Sequence, residues 1–124
     1  MIRILIADDS AAMRDALSSL LSADKGFEVV GFAGDGLEAV ERAGELLPDV
    51  VLMDAQMPNM DGVEATRHIK LTLPGVGVLS LSVFTDCLEA SIAAGADGYL
   101  MKDCEPEELF SELRRVAAMA RGNG

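Results

Sequence analysis

Hydrophobic positions along this chain fall into five short runs separated by stretches of helical spacing. Ile2-Arg3-Ile4-Leu5-Ile6-Ala7 ends at Asp8-Asp9, and Val50-Val51-Leu52-Met53 ends at Asp54. Apolar runs of this length, rich in Ile and Val and bounded by polar residues, predict strands covered on both faces, the kind met in parallel sheets. Residues 27–32, 76–82 and 97–101 complete the set of five. Ser10 is placed to cap a helix in which Met13, Leu17, Leu20 and Leu21 share one face, ending near Ala23. Leu37, Val40, Ala43 and Leu47 mark a second helix that Pro48 closes. A loop with Pro, Asn and Gly over residues 55–62 precedes a third, marked by Val63, Thr66, Ile69 and Leu73. Residues 86–94 predict a short Ala-rich helix. The last begins at Pro106 and presents Leu109, Leu113, Val116 and Ala120, with 121–124 as a linker-like tail.

Five strands alternating with five helices predict an α/β domain with a doubly wound five-stranded parallel sheet. In the flavodoxin-like order 2-1-3-4-5, strands one and three are neighbours at the switch point, so Asp8, Asp9 and Asp54 converge in one crevice. Two like charges about 4 Å apart repel by roughly 4 kcal/mol at an effective dielectric near 20, so a cation must offset three such carboxylates. Hard oxygen donors without a nearby His or Cys favour Mg²⁺. Lys102, closing the fifth strand, is the candidate for further positive charge.

Composition narrows the functional classes. The 124 residues, 50% hydrophobic, suit one domain with an adequate core. A net charge of -11 argues against gripping nucleic acid or an anionic membrane. Residues 1–7 are too short for a signal peptide, and no apolar stretch approaches the roughly 20 residues of a membrane span, so a cytoplasmic location is expected. Cys87 and Cys104 lack CxxC spacing and read as free, half-buried thiols. The seven Met residues read as core filler, and His68, beside Arg67 and Lys70, as solvent-facing.

Asp8-Asp9, Met53-Asp54 followed by Met57-Pro58 and Asp61-Gly62, then Ser82 and Gly98-Tyr99-Leu100-Met101-Lys102, stand in an order that resembles the receiver (CheY-like) domain of two-component response regulators. The resemblance covers residues 1 to about 120. Gly95-Ala96-Asp97-Gly98-Tyr99 and Glu105-Pro106-Glu107-Glu108-Leu109 look most like the NarL/LuxR-type subfamily.

The resemblance implies that Asp54 accepts a phosphoryl group from a sensor histidine kinase. It implies Mg²⁺ held by Asp8, Asp9, Asp54 and the Gln56 backbone carbonyl. Lys102 and Ser82 would contact the phosphoryl oxygens, and Ser82 with Tyr99 would form the switch. It further implies homodimerisation on phosphorylation and a C-terminal helix-turn-helix domain outside this chain. A stand-alone receiver acting through protein contacts is the alternative. A Mg²⁺-dependent aspartyl phosphatase is disfavoured because Asp8-Asp9-Ser10 and Asp54-Ala55-Gln56 both lack an Asp-x-Asp, and a flavodoxin because Asp8-Asp9 would repel FMN phosphate. The chain departs from the subfamily by a shortening of about two residues within 84–90. Val83, bulkier than the Ala or Gly that many receivers carry there, is expected to narrow access for small phosphodonors.

Overall fold

The computed structural model describes residues 1–83 and 86–123. The order is β1 (Ile2–Ala7), α1 (Ala11–Ser22), β2 (Phe27–Ala33), α2 (Gly36–Leu46), β3 (Val50–Asp54), α3 (Gly62–Thr72), β4 (Gly77–Ser82), α4 (Asp86–Ala93), β5 (Gly98–Met101) and α5 (Pro106–Asn123). The five strands form one sheet in the order β2-β1-β3-β4-β5, and every neighbouring pair is parallel. This is the doubly wound, flavodoxin-like topology that the alternation of elements predicts.

Strand periodicity divides the core into two layers. Ile4, Ile6, Val50, Leu52, Leu79 and Leu81 face one cluster with Leu17 and Leu21 of α1 and Leu109, Leu113 and Val116 of α5. Leu5, Ala7, Val51, Met53 and Val78 face the other, with Ala39 and Ala43 of α2 and Ala65 and Ile69 of α3. Because both faces are covered, all five residues of β3 are buried. That is why its sequence is apolar without alternation up to Asp54.

Three local expectations need correction. In α2 the buried residues are Gly36, Ala39 and Ala43, while Leu37 is 50% and Leu47 57% exposed. The inward stripe is small because the helix start lies directly on the next loop: a Cβ at Gly36 would stand 2.0 Å from the Met60 carbonyl oxygen. Leu47 is the left-handed C-cap (φ 47°), donating its N–H to the Ala43 carbonyl at 2.9 Å, and Pro48 prevents continuation. Finally, α5 continues to Asn123, past Arg121 where a tail was expected. Of the 84–90 segment, where a shortening was expected, residues 84 and 85 lie outside the described residues, as does Gly124.

Met53 is buried in the core and Met13, Met57 and Met60 pack against it, whereas Met1 and Met119 are exposed, so the methionines are core filler only in part. Cys87 and Cys104 are free and partly buried, and His68 is exposed. A fastener of α5 that periodicity did not reveal is Arg114, whose Nη2 donates to Asp24 Oδ2 at 2.8 Å and whose guanidinium lies 4.9 Å from the Phe27 ring centroid.

Candidate functional site

The register fixes where each acidic residue emerges. Ala7 pairs with Met53 in the β1–β3 ladder, so Asp8 and Asp54 leave adjacent strands one step beyond the same rung. The Asp8 N–H still donates to the Ala33 carbonyl (3.0 Å), and the Ala55 N–H to that of Leu81 (3.0 Å). On the other side Ser82 pairs with Met101, and the Lys102 N–H donates to the Ser82 carbonyl at 2.9 Å. Both sides bring their side chains to the carboxyl edge of the sheet.

Lys102 joins the two buried carboxylates there. Its Nζ lies 2.9 Å from Asp8 Oδ2 and 3.2 Å from Asp54 Oδ2. The remaining oxygens meet backbone donors: the Ser10 N–H on Asp8 Oδ1 at 2.9 Å and the Gln56 N–H on Asp54 Oδ1 at 3.2 Å. Asp8 and Asp54 are buried, whereas Asp9 is exposed at the rim. One carboxylate oxygen from each of the three aspartates lies within 4.8 Å of the others.

Burial pushes the Asp54 carboxyl above the ordinary carboxylate range. The Gln56 N–H opposes this, Asp8 adds to it, and Lys102 only partly offsets it. For Lys102 burial works against the ammonium, but the hydrogen bond to Asp8 and the charges of Asp54 and Asp8 outweigh it and raise its pKa. Lys102 therefore stays protonated. The Lys102 ammonium pairs with two of the three carboxylates, and the donors are all hard oxygens, those of Asp9 being open to solvent. This donor set fits a divalent cation such as Mg²⁺.

A glycine makes the close packing behind Asp54 possible. A Cβ at Gly62 would lie 1.8 Å from the Asp54 carbonyl oxygen and 2.8 Å from Ala55 Cα, so only glycine lets α3 start against the end of β3. The preceding Asp61 caps that helix, its Oδ1 accepting from the Glu64 N–H at 2.8 Å. The Asp61-Gly62 pair thus has a structural role behind Asp54.

Ser82 is buried at the end of β4, one residue before Val83, which is 59% exposed. Tyr99 is 44% exposed on β5, its Cα partner being Ser80. Gln56 is exposed on the β3–α3 loop. The sequence reading missed three contributors. Arg14 Nη1 donates to the Asp8 carbonyl at 2.6 Å, and Ser80 and Ser91 share a buried hydroxyl contact at 3.1 Å between β4 and α4. The third is Asp35, which caps α2 and accepts from Asn59. Asp35 followed three residues later by Glu38 is a capping signal legible in the sequence.

A doubly wound five-stranded domain with an acidic pocket and one lysine at its switch point defines the structural class. A family model described as the response regulator receiver domain matches residues 4–114, and the chain belongs to that family. Receiver domains are signalling modules and bind Mg²⁺ at an acidic pocket. The transcriptional regulatory protein LnrK of Bacillus subtilis (strain 168) is 42% identical over 118 residues, 94% of this chain and 54% of that protein. The response regulator protein VraR of Staphylococcus aureus (strain Mu3 / ATCC 700698) is 40% identical over 118 residues, covering 94% and 56%. The chain spans about half the length of these curated relatives. The crystal structure of a LuxR-family two-component response regulator from Aurantimonas sp. SI85-9A1 superposes with a TM-score of 0.90 at 32% identity, covering 95% of this chain and 86% of that one.

Proposed function

We propose that Asp54 is the phosphoacceptor and that the domain is switched by its phosphorylation. The observation that carries this reading is the Lys102 ammonium shared between buried Asp8 and Asp54 at the switch point. An Asp54 carboxylate oxygen attacks the phosphorus of a phosphohistidine on a sensor histidine kinase. The O–P bond forms as the N–P bond breaks, and the departing imidazole nitrogen keeps the electron pair and takes a proton from solvent. Asp8, Asp9, Asp54 and the Gln56 carbonyl would hold Mg²⁺, which when bound would neutralise charge on the phosphoryl oxygens. Lys102 turns from Asp54 toward a phosphoryl oxygen, and the Ser82 hydroxyl donates to another. Attack of water on the phosphorus later releases phosphate and regenerates Asp54. The domain is a signalling module whose own residues promote both steps.

The added charge of about -1.5 to -2 biases a two-state element made of Ser82, Tyr99 and α4. A ring that is 44% exposed has inward burial to gain when the Ser82 hydroxyl is drawn to the phosphoryl group. Homodimerisation on phosphorylation would use the exposed apolar side chains of this side, Ile92, Tyr99 and Met119. The output is transcriptional, through a C-terminal helix-turn-helix domain beyond these residues; relatives named as transcriptional regulatory protein and response regulator, about twice this length, support that. The setting is the cytoplasm, as is typical of response regulators.

Beryllofluoride, a phosphoryl mimic, tests the switch. Fluorine NMR should show a bound signal that requires Mg²⁺ and disappears in Asp54→Asn, with accompanying shifts at Ser82 and Tyr99 amides. A bound signal that persists in Asp54→Asn would overturn the assignment.

A further inference from the structure

The loop over residues 55–61 is tied to the start of α2 by contacts that the strand ladder does not require. Asn59 has φ 67°, in the left-handed region. Its Nδ2 donates to Asp35 Oδ2 at 2.8 Å, although the two residues are 24 positions apart. The other oxygen of that carboxylate accepts from the Glu38 N–H at 2.8 Å and caps α2. Beside it, Gly36 and the Met60 backbone are in such close approach that no Cβ fits between them. One carboxylate thus serves a helix and a loop together. The loop it holds carries Gln56, whose N–H already holds Asp54 Oδ1 at 3.2 Å.

Asn suits this position on two counts. It tolerates the left-handed backbone, and its amide supplies the donor that glycine would lack. Gln56 and Asn59 are both exposed, so burial does little to fix the loop between the Met57 and Met60 contacts. A side-chain tether is therefore the physical means of setting its backbone before a ligand arrives.

We propose that Asp35 and Asn59 form a clasp that positions the Gln56 backbone for the cation at Asp8, Asp9 and Asp54. They are positioning residues, since neither belongs to the acidic cluster itself. The inference rests on the reading of that cluster as a Mg²⁺ site. Groups that orient metal ligands from behind typically contribute about 10- to 100-fold to affinity, and an exposed clasp belongs at the lower end.

The test is calorimetric titration of the metal-stripped chain with Mg²⁺. Asn59→Asp sets two carboxylates face to face and should weaken Mg²⁺ binding about tenfold, although its extra negative charge alone would strengthen it. Combining Asn59→Asp with Asp35→Asn re-forms the pair with donor and acceptor exchanged, at the original net charge. Asn still caps a helix and Asp still tolerates the left-handed backbone, so affinity should return to within about twofold of the parent. Amide hydrogen exchange at Gln56 and Met57 should quicken in the single variant and recover in the double. If Asn59→Asp fails to fold, Asn59→Gly keeps the backbone conformation while removing the donor, and should weaken binding likewise. Unchanged affinity in the single variant, or no recovery in the double, would overturn the clasp. Absence of Mg²⁺ binding by the parent chain would instead overturn the reading of the acidic site, and the clasp with it.

Discussion

Replacing Lys102 by Met removes the ammonium that joins Asp8 and Asp54 while keeping most of its aliphatic length. The side chains involved are 15%, 2% and 6% exposed, so solvent does little to replace the lost charge. At 2.9 and 3.2 Å, each attraction is worth about 5 kcal/mol at an effective dielectric near 20. Repulsion between Asp8 and Asp54, whose oxygens lie within 4.8 Å, is at least about 3.5 kcal/mol on the same basis and survives the substitution. Losing one partner of a buried charged group typically costs about 3–5 kcal/mol. The lower figure applies here because Asp54, already raised by burial, relieves the strain by taking up a proton. In EDTA at neutral pH, Lys102→Met should therefore lose about 3 kcal/mol, a fall in Tm of roughly 10 °C for a chain of this size.

The sign with pH follows from Asp54. Its folded-state pKa is raised, so its contribution favours folding below the unfolded value and is lost as pH rises through the folded one. Without Lys102 that loss deepens, so the gap between variant and parent should narrow as pH falls. Saturating Mg²⁺ at about 100 times Kd should return about 2.7 kcal/mol to any variant that still binds it. Equal Tm values for Lys102→Met and parent in EDTA at pH 7 would refute the reasoning.

Asp54→Asn should leave the metal-free domain as stable or about 1 kcal/mol more stable, because a carboxylate disfavoured by burial and by Asp8 is neutralised, whereas Mg²⁺ stabilisation should shrink; urea melts with and without Mg²⁺ check both. Gly62→Ala should cost about 3 kcal/mol or more, since its Cβ would overlap the Asp54 carbonyl oxygen and neither backbone can yield cheaply; chemical denaturation measures it. Cys104, whose thiol pKa is raised by burial and then by Glu108 and Asp103, should alkylate with iodoacetamide more slowly than a model peptide thiol at pH 7.5, as peptide mapping would show.

Most of the sheet was legible because β1, β3 and β4 are covered on both faces and so carry largely apolar runs, interrupted inside the strands only by Arg3 in β1 and Ser80 in β4. The acidic pocket was legible because Asp8, Asp9 and Asp54 each end such a run, and strand order then brings them together. The α2 face was misread because its contact surface is glycine and alanine, which carry little periodic hydrophobic signal beside Leu37 and Leu47. The end of α5 was misread because glycine and asparagine in residues 121–123 signal a stop that local propensity alone does not enforce. Arg14, the Ser80–Ser91 contact and the Asp35–Asn59 bond are tertiary pairings between polar residues, for which spacing along the chain gives no rule.

The most direct measurement of the central claim is intact mass after incubation with a phosphorylated histidine kinase or acetyl phosphate, with Mg²⁺ and with EDTA, for parent and Asp54→Asn. The account predicts a gain of one phosphoryl group, about 80 Da, that requires both Mg²⁺ and Asp54. The histidine-kinase arm guards against slow entry of the small donor past Val83. No gain from either donor, or a gain that survives Asp54→Asn, would contradict it.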